Sequence, residues 1–150
     1  IECAPLPRAY FGDLVLALQN TFLYDDAAFC LLPRAEGAEI VGEVADMLIR
    51  CDGVRRVFCG AAIGDGIVIS VRTTRDAENA GHLIRRVLSG LGRGGGHAQR
   101  AGGRIADVAT ERITESMEDD LRDRWLEACH IDRERGTRLI PLHELVDNLS

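Results

Sequence analysis

Residues 90–103 read Gly-Leu-Gly-Arg-Gly-Gly-Gly-His-Ala-Gln-Arg-Ala-Gly-Gly, seven glycines in fourteen positions. Average glycine usage is only about 7%. A stretch so poor in side chains gains little from packing, so the glycines need another reason to be there. Consecutive glycines take positive φ at little cost, which lets successive backbone N–H groups converge on an anion and lets a phosphate approach the main chain. His97, directly after the triplet Gly94-Gly95-Gly96, adds a side-chain donor. The stretch reads as a phosphate-binding loop, with a plain surface turn as the competing reading. Residues 90–95 also satisfy G-x-G-x-x-G, but that dinucleotide fingerprint needs a strand entering and a helix leaving. A helical pattern enters here, and Ala101-Gly102-Gly103 opposes a helix on exit, so the match is accidental.

Upstream, residues 54–62 and 66–73 have the apolar, β-branched character of strands, joined through Gly64-Asp65-Gly66 as a hairpin. Side chains alternate along a strand, so Ile67, Ile69 and Val71 share one face, and Val68, Ser70 and Arg72 share the other. Residues 76–91 follow with Ala80, Leu83, Ile84, Val87, Leu88 and Leu91 at helical spacing, which leaves Arg85 and Arg86 pointing outward. Residues 39–51 show the same one-sided periodicity through Ile40, Val41, Val44, Met47, Leu48 and Cys51. The apolar run 27–32 reads as a buried strand ended by Pro33, residues 104–108 as a further strand, and residues 110–128 as a long helix with Ile113, Met117, Leu121 and Trp125 spaced by four. Together these predict an α+β domain, a mixed or antiparallel sheet of about 4–5 strands with helices packed on it.

Charge is distributed unevenly. The chain carries a net charge of −6, yet residues 72–104 hold seven arginines against Asp76 and Glu78, a net of +5, leaving −11 on the rest. The acidic balance disfavours a protein that grips long nucleic acid by counterion release alone. The local reversal concentrates positive charge around the glycines. All 18 basic residues are arginine, whose planar fork suits phosphate oxygens, although a genome-wide composition bias is the first explanation.

Ile69-Ser70-Val71-Arg72-Thr73, an intervening helix, Gly94-Gly95-Gly96-His97 and Ala101-Gly102-Gly103 together resemble the C-terminal DHH-associated domain of DHH-family phosphoesterases. That family includes RecJ-like exonucleases, nano-RNA and cyclic-dinucleotide phosphodiesterases and exopolyphosphatase-related proteins. The resemblance covers about residues 27–108. It implies a substrate-binding role for Gly94, Gly95, Gly96, His97 and Arg72, with Ser70 on the same strand face. Arg93, Arg100 and Arg104 join this set on local charge, where a solvated surface role competes with a binding one. The ligand implied is a short oligonucleotide, a dinucleotide or another phosphate ester. The resemblance further implies that the intact protein is a metal-dependent hydrolase whose two manganese ions sit on a separate DHH domain in cis, while this chain alone is not catalytic. The C-terminal domain of alanyl-tRNA synthetases is similar in its Gly-Gly-Gly and Ala-Gly-Gly elements, which keeps a tRNA- or nucleic-acid-binding module as the alternative.

No Asp-His-His triplet occurs in the chain, and His82, His97, His130 and His143 are scattered. Asp25-Asp26 and Glu118-Asp119-Asp120 lack histidine partners at ligand spacing, so no metal site is expected in this chain. The five cysteines, Cys3, Cys30, Cys51, Cys59 and Cys129, are odd in number and form no C-x-x-C pair, which fits a reducing cytoplasm rather than a disulfide framework. No apolar run approaches the ~20 residues of a membrane span. The organisation expected is a linker helix from a preceding domain over residues 1–26 (helical through 9–19), a substrate-binding domain over 27–130 and an amphipathic appendage over 131–150.

Overall fold

The computed structural model describes residues 3–108 and 112–141. Helix α1 (Arg8–Gln19) is followed by strands β1 (Thr21–Tyr24) and β2 (Ala27–Leu32), helix α2 (Glu39–Leu48), strands β3 (Arg56–Ile63) and β4 (Gly66–Thr73), and helix α3 (Ala80–Leu88). Strands β5 (Arg93–Gly96) and β6 (Arg100–Ile105), helix α4 (Glu115–Ala128) and the short strand β7 (Thr137–Arg138) complete it. The architecture is α+β.

Seven strands form one mixed sheet in the order β5-β6-β4-β3-β2-β1-β7, two or three more than the 4–5 expected. Only β2 and β3 run parallel, joined by the α2 crossover; every other neighbouring pair is antiparallel. The extra strands arise where the sequence carries no alternation long enough to announce one. β1 and β7 are short, and β1 turns into β2 at Asp25, whose φ is 52°. The boundary drawn at residue 26 falls within the β1–β2 hairpin, so residues 21–24 belong to the sheet. β5 and the first half of β6 are built from the glycine stretch itself.

Both faces of the sheet are covered, which is why β2 is apolar at every position rather than at alternate ones. Ala28, Cys30, Leu32, Val57, Cys59 and Ala61 face α1 and α2. Phe29, Leu31, Phe58, Ile67, Ile69 and Val71 face α3 and α4. On that second face Phe29 stacks on Phe58 at 5.2 Å between ring centroids, and Phe58 meets Trp125 at 5.6 Å. α3 starts at Ala80, capped where Asn79 accepts a hydrogen bond from the His82 backbone N–H, four residues later than the periodicity suggested, because residues 76–79 feed it as a turn. α4 is capped likewise by Thr114, and the expected start at 110 lies outside the described residues. The amphipathic reading of the tail also lies outside them from residue 142 onward.

The two helical layers are offset. α2 lies against β3 and β4, whereas α3 lies against β4, β5 and β6 on the opposite face. Beyond α2, the sheet surface over β6 and β5 carries no helix among the described residues, and Ser70, Arg72, Gly95 and Arg100 of the expected site face it.

Candidate phosphate-binding cleft

The glycine triplet is an edge strand and not a nest. Gly94, Gly95 and Gly96 form β5, none has positive φ, and in the 90–103 stretch only Gly90 does, at 78°. Extended residues point successive N–H groups to opposite sides, so they cannot converge on one anion as αR–αL alternation would allow. The His97 N–H donates to the Arg100 carbonyl at 2.8 Å and closes the β5–β6 hairpin. Counting back along the antiparallel ladder, Gly95/Gly102 is a hydrogen-bonded pair, and the N–H groups of Gly94 and Gly96 face the open edge of the sheet.

The glycines serve two different purposes. A Cβ on Gly94 would meet Ile84 at 3.1 Å, and one on Gly103 would meet Leu88 at 2.5 Å and the Arg93 carbonyl at 2.9 Å, so these two let α3 press onto the sheet. On the other face, a Cβ on Gly102 would find only the Ile69 carbonyl, at 3.6 Å, and one on Gly95 only the Arg85 guanidinium, at 3.5 Å. Gly95 and Gly102 are adjacent by register, and Gly102 is adjacent to Ser70. The result is a floor of bare backbone running from β5 to β4, ending in a hydroxyl.

This floor belongs to a cleft of about 280 Å3 lined by Ser70, Arg72, Gly95, Gly96, Arg100, Ala101 and Gly102. α2 stands beside it, with Gly42 and Asp46, one turn apart, facing Arg72. Arg72 is 7% exposed, and each of its bonds is defined. Its Nε donates to Asp46 Oδ1 at 2.7 Å, and its Nη1 donates to the carbonyls of Val71 at 3.1 Å and Ala101 at 3.4 Å. Nη2 has no partner among the described residues and lies 3.4 Å from where a Gly42 Cβ would be, with Ser70 Oγ 3.8 Å from the same point. Absence of a side chain at Gly42 leaves that nitrogen accessible. The Ser70 hydroxyl is likewise without a partner among the described residues. Arg100, largely exposed, also contacts Asp46 Oδ1, at 3.2 Å.

The other candidate residues lie elsewhere. Arg104 pairs with Asp65 at 2.8 Å beside the β3–β4 turn, and Arg93 is its register partner at the far end of the hairpin, so neither lines the cleft. Gly94 faces α3. His97 stands exposed at the hairpin tip beside Gly96, its imidazole without a partner among the described residues. Three residues that sequence reasoning did not select now belong to the site: Gly42, Asp46 and Arg85. Arg85 starts from the α3 side, yet its guanidinium reaches Gly95 around the open sheet edge. No periodicity could have shown this, because it depends on β5 being an edge strand.

A larger hollow of about 560 Å3 lies on the opposite face of the sheet, lined by Arg86, Asp120, Asp123, Arg124, Glu127, Ala128 and His130. Its arginines are occupied: Arg86 donates to the Ala128 carbonyl at 3.2 Å, and Arg124 binds Asp120 and the carbonyls of Val87 and Ser89. Three carboxylates line it, so it suits an anion poorly despite its size. Among the described residues no group of three or more His, Cys, Asp or Glu could hold a metal ion, and no helix is long and apolar enough to cross a membrane.

A glycine hairpin at the sheet edge, an arginine buried in the adjoining strand and helices on both faces define a small α+β domain. The DHHA1 domain family model matches residues 27–124, and the chain belongs to that family. No curated protein matches the chain. Among solved structures, the C-Ala domain of Aquifex aeolicus alanyl-tRNA synthetase is 24% identical with a TM-score of 0.52, over 70% of this chain and 96% of that one. An exopolyphosphatase-related protein from Bacteroides fragilis is 17% identical with a TM-score of 0.57, over 82% of this chain and 35% of that one. RecJ from Thermus thermophilus, solved with Mn2+, is 21% identical with a TM-score of 0.50, over 72% of this chain and 14% of that one. The chain thus spans about a third or less of the two latter proteins. At these identities the likeness concerns the fold.

Proposed function

We propose that this domain holds the phosphate of a nucleotide or short oligonucleotide in the cleft between α2 and the β5–β6 hairpin, as the substrate-binding part of a DHH-type phosphodiesterase or exopolyphosphatase-related protein. The observation that carries the reading is Arg72, buried and fixed by three acceptors, with one guanidinium nitrogen left open beside a free hydroxyl over a floor without side chains. A fixed cation pays little ordering entropy on binding, and a glycine floor lets a phosphate or sugar lie against the main chain. Ser70, Arg100 and the backbone of Gly95 and Gly96 complete the grip, with His97 and Arg85 flanking it. Bond cleavage belongs to a separate domain carrying two manganese ions that activate water. This chain alone binds weakly and hydrolyses nothing with Mn2+.

Titration calorimetry with RNA of two to five nucleotides tests the site. Arg72→Gln combined with His97→Ala lowers affinity by at least about tenfold, the loss of one charge-assisted hydrogen bond. Unchanged affinity in a folded variant removes the case for this cleft.

A second reading, a tRNA-binding module, is favoured by one observation: the C-Ala domain of alanyl-tRNA synthetase is matched over nearly its whole length. Filter binding separates the two readings. Tight binding of tRNA with no binding of di- to pentanucleotides supports the module, and the converse supports the phosphodiesterase domain.

A further inference from the structure

We propose that Asp46 sets the charge that the cleft accepts, so that its inner end penalises a doubly charged terminal phosphate more than a singly charged phosphodiester. The inference rests on the cleft being a phosphate site and adds which kind of phosphate it disfavours.

The inner end of the cleft holds three charged groups. Arg72 and Arg100 converge on a single oxygen, Asp46 Oδ1, at 2.7 and 3.2 Å. Two positive charges and one negative leave a net of +1. Arg85 stands at the other end, over Gly95, two strand spacings from Ser70, or about 10 Å. Salt screens most of its influence on the inner end at that distance. The carboxylate holds Arg72 through Nε, alongside the two carbonyls that accept from Nη1. Arg100, by contrast, has a side chain 65% exposed, and its ion pair with Asp46 contributes little to folding. Asp46 also supplies a fixed negative charge one residue's width from the open Nη2 of Arg72.

A ligand phosphate bound at Nη2 lies roughly 6 Å from that carboxylate and is repelled in proportion to its own charge. At an effective dielectric of about 50, between protein surface and water, each unit of ligand charge costs a factor of about six in affinity. A diester with one charge tolerates this against two arginines. A monoester, doubly charged above its second pKa of about 6, is repelled twice as strongly.

The test measures binding at pH 8 of a dinucleoside monophosphate, which has one diester and no terminal phosphate, and of a nucleoside 5′-monophosphate. Each is titrated against the unmodified chain, Asp46→Asn and Asp46→Glu. Comparing variant with parent for each ligand cancels the difference in base and sugar contacts. Asp46→Asn is expected to raise affinity about sixfold for the diester and about 35-fold for the monoester, and Asp46→Glu to leave the ratio near the parent value. A loss of structure would lower both affinities together and would not move their ratio. Equal changes for both ligands, with binding still dependent on Arg72, overturn the role of Asp46 and leave the phosphate site standing. Failure of the parent chain to bind either ligand overturns both.

Discussion

Adjacent glycines in the same strand are expected to respond in opposite ways to the same methyl group. A Cβ on Gly96 would collide with the Arg100 carbonyl and come within 2.6 Å of the Ala101 Cα, both backbone atoms of the partner strand that cannot rotate away. Opening the hairpin to relieve this costs about 1–3 kcal/mol, the usual range for overpacking. The lost freedom of the unfolded chain returns about 0.4–1 kcal/mol. Gly96→Ala is therefore expected to destabilise by about 1–2 kcal/mol, a Tm lower by roughly 2–8 °C for a domain of this size. A Cβ on Gly95 meets nothing closer than the mobile Arg85 tip at 3.5 Å, and its φ is not left-handed, so Gly95→Ala changes Tm by no more than about 3 °C in either direction. The same methyl stands on the cleft floor and lowers affinity for a short oligonucleotide by about tenfold or more, because the ligand can no longer reach the main chain. Trp125, the single tryptophan and fully buried against Phe58, reports unfolding by fluorescence. Equal destabilisation by the two substitutions, or Gly95→Ala binding as the parent does, would refute the assignment of the two glycines to different jobs.

Arg85→Ala weakens oligonucleotide binding by about three- to tenfold, the range for an exposed charge, with Tm within about 2 °C of the parent in calorimetry, since Arg85 has no partner among the described residues to lose. Native-state thiol labelling followed by mass spectrometry finds Cys3 reacting first, Cys51 slower, and Cys30, Cys59 and Cys129 only on unfolding. Burial pushes the Cys129 thiol up to about 12, and the hydrogen bond with Cys30 and then burial raise Cys59; the same hydrogen bond lowers Cys30, which is protected by being fully buried. The hydrogen bond that Tyr10 donates to the Glu43 carboxylate raises the phenol to about 12. The contribution of this α1–α2 link is fully present below pH 10 and is lost as pH rises through 12; ultraviolet titration of Glu43→Gln should show Tyr10 ionising near pH 10.

Elements with long one-sided patterns were legible in the sequence. α2, α3 and the β3–β4 hairpin each bury a continuous apolar face, and β2 is apolar throughout because both its faces are covered. Ser70 and Arg72 were placed together by strand alternation alone, and the cleft contains both. The glycine stretch was read for what its backbone could do, positive φ, rather than for what the absence of side chains permits. That permission is the approach of α3 on one face and an open floor on the other, and neither leaves a periodicity to count. β1 and β7, at four and two residues, are too short for alternation to register, and they gain stability only from pairing with one another beside β2. Asp46 is one of several polar positions on a surface helix. Its meaning comes from the crossover that sets α2 beside β4, a long-range relation that local sequence does not encode.

The central claim is that phosphate binds on the α2 side of the β5–β6–β4 surface. An amide-resolved NMR titration with a dinucleotide, including the arginine side-chain Nε resonances, tests it most directly. The account predicts saturable shifts at Ser70, Gly95, Gly102 and Arg72 Nε, with Arg104 and the residues around Asp120 and His130 unmoved. Shifts confined to the α3–α4 hollow or to the Arg93/Arg104 end, or no shifts at millimolar ligand, would contradict it.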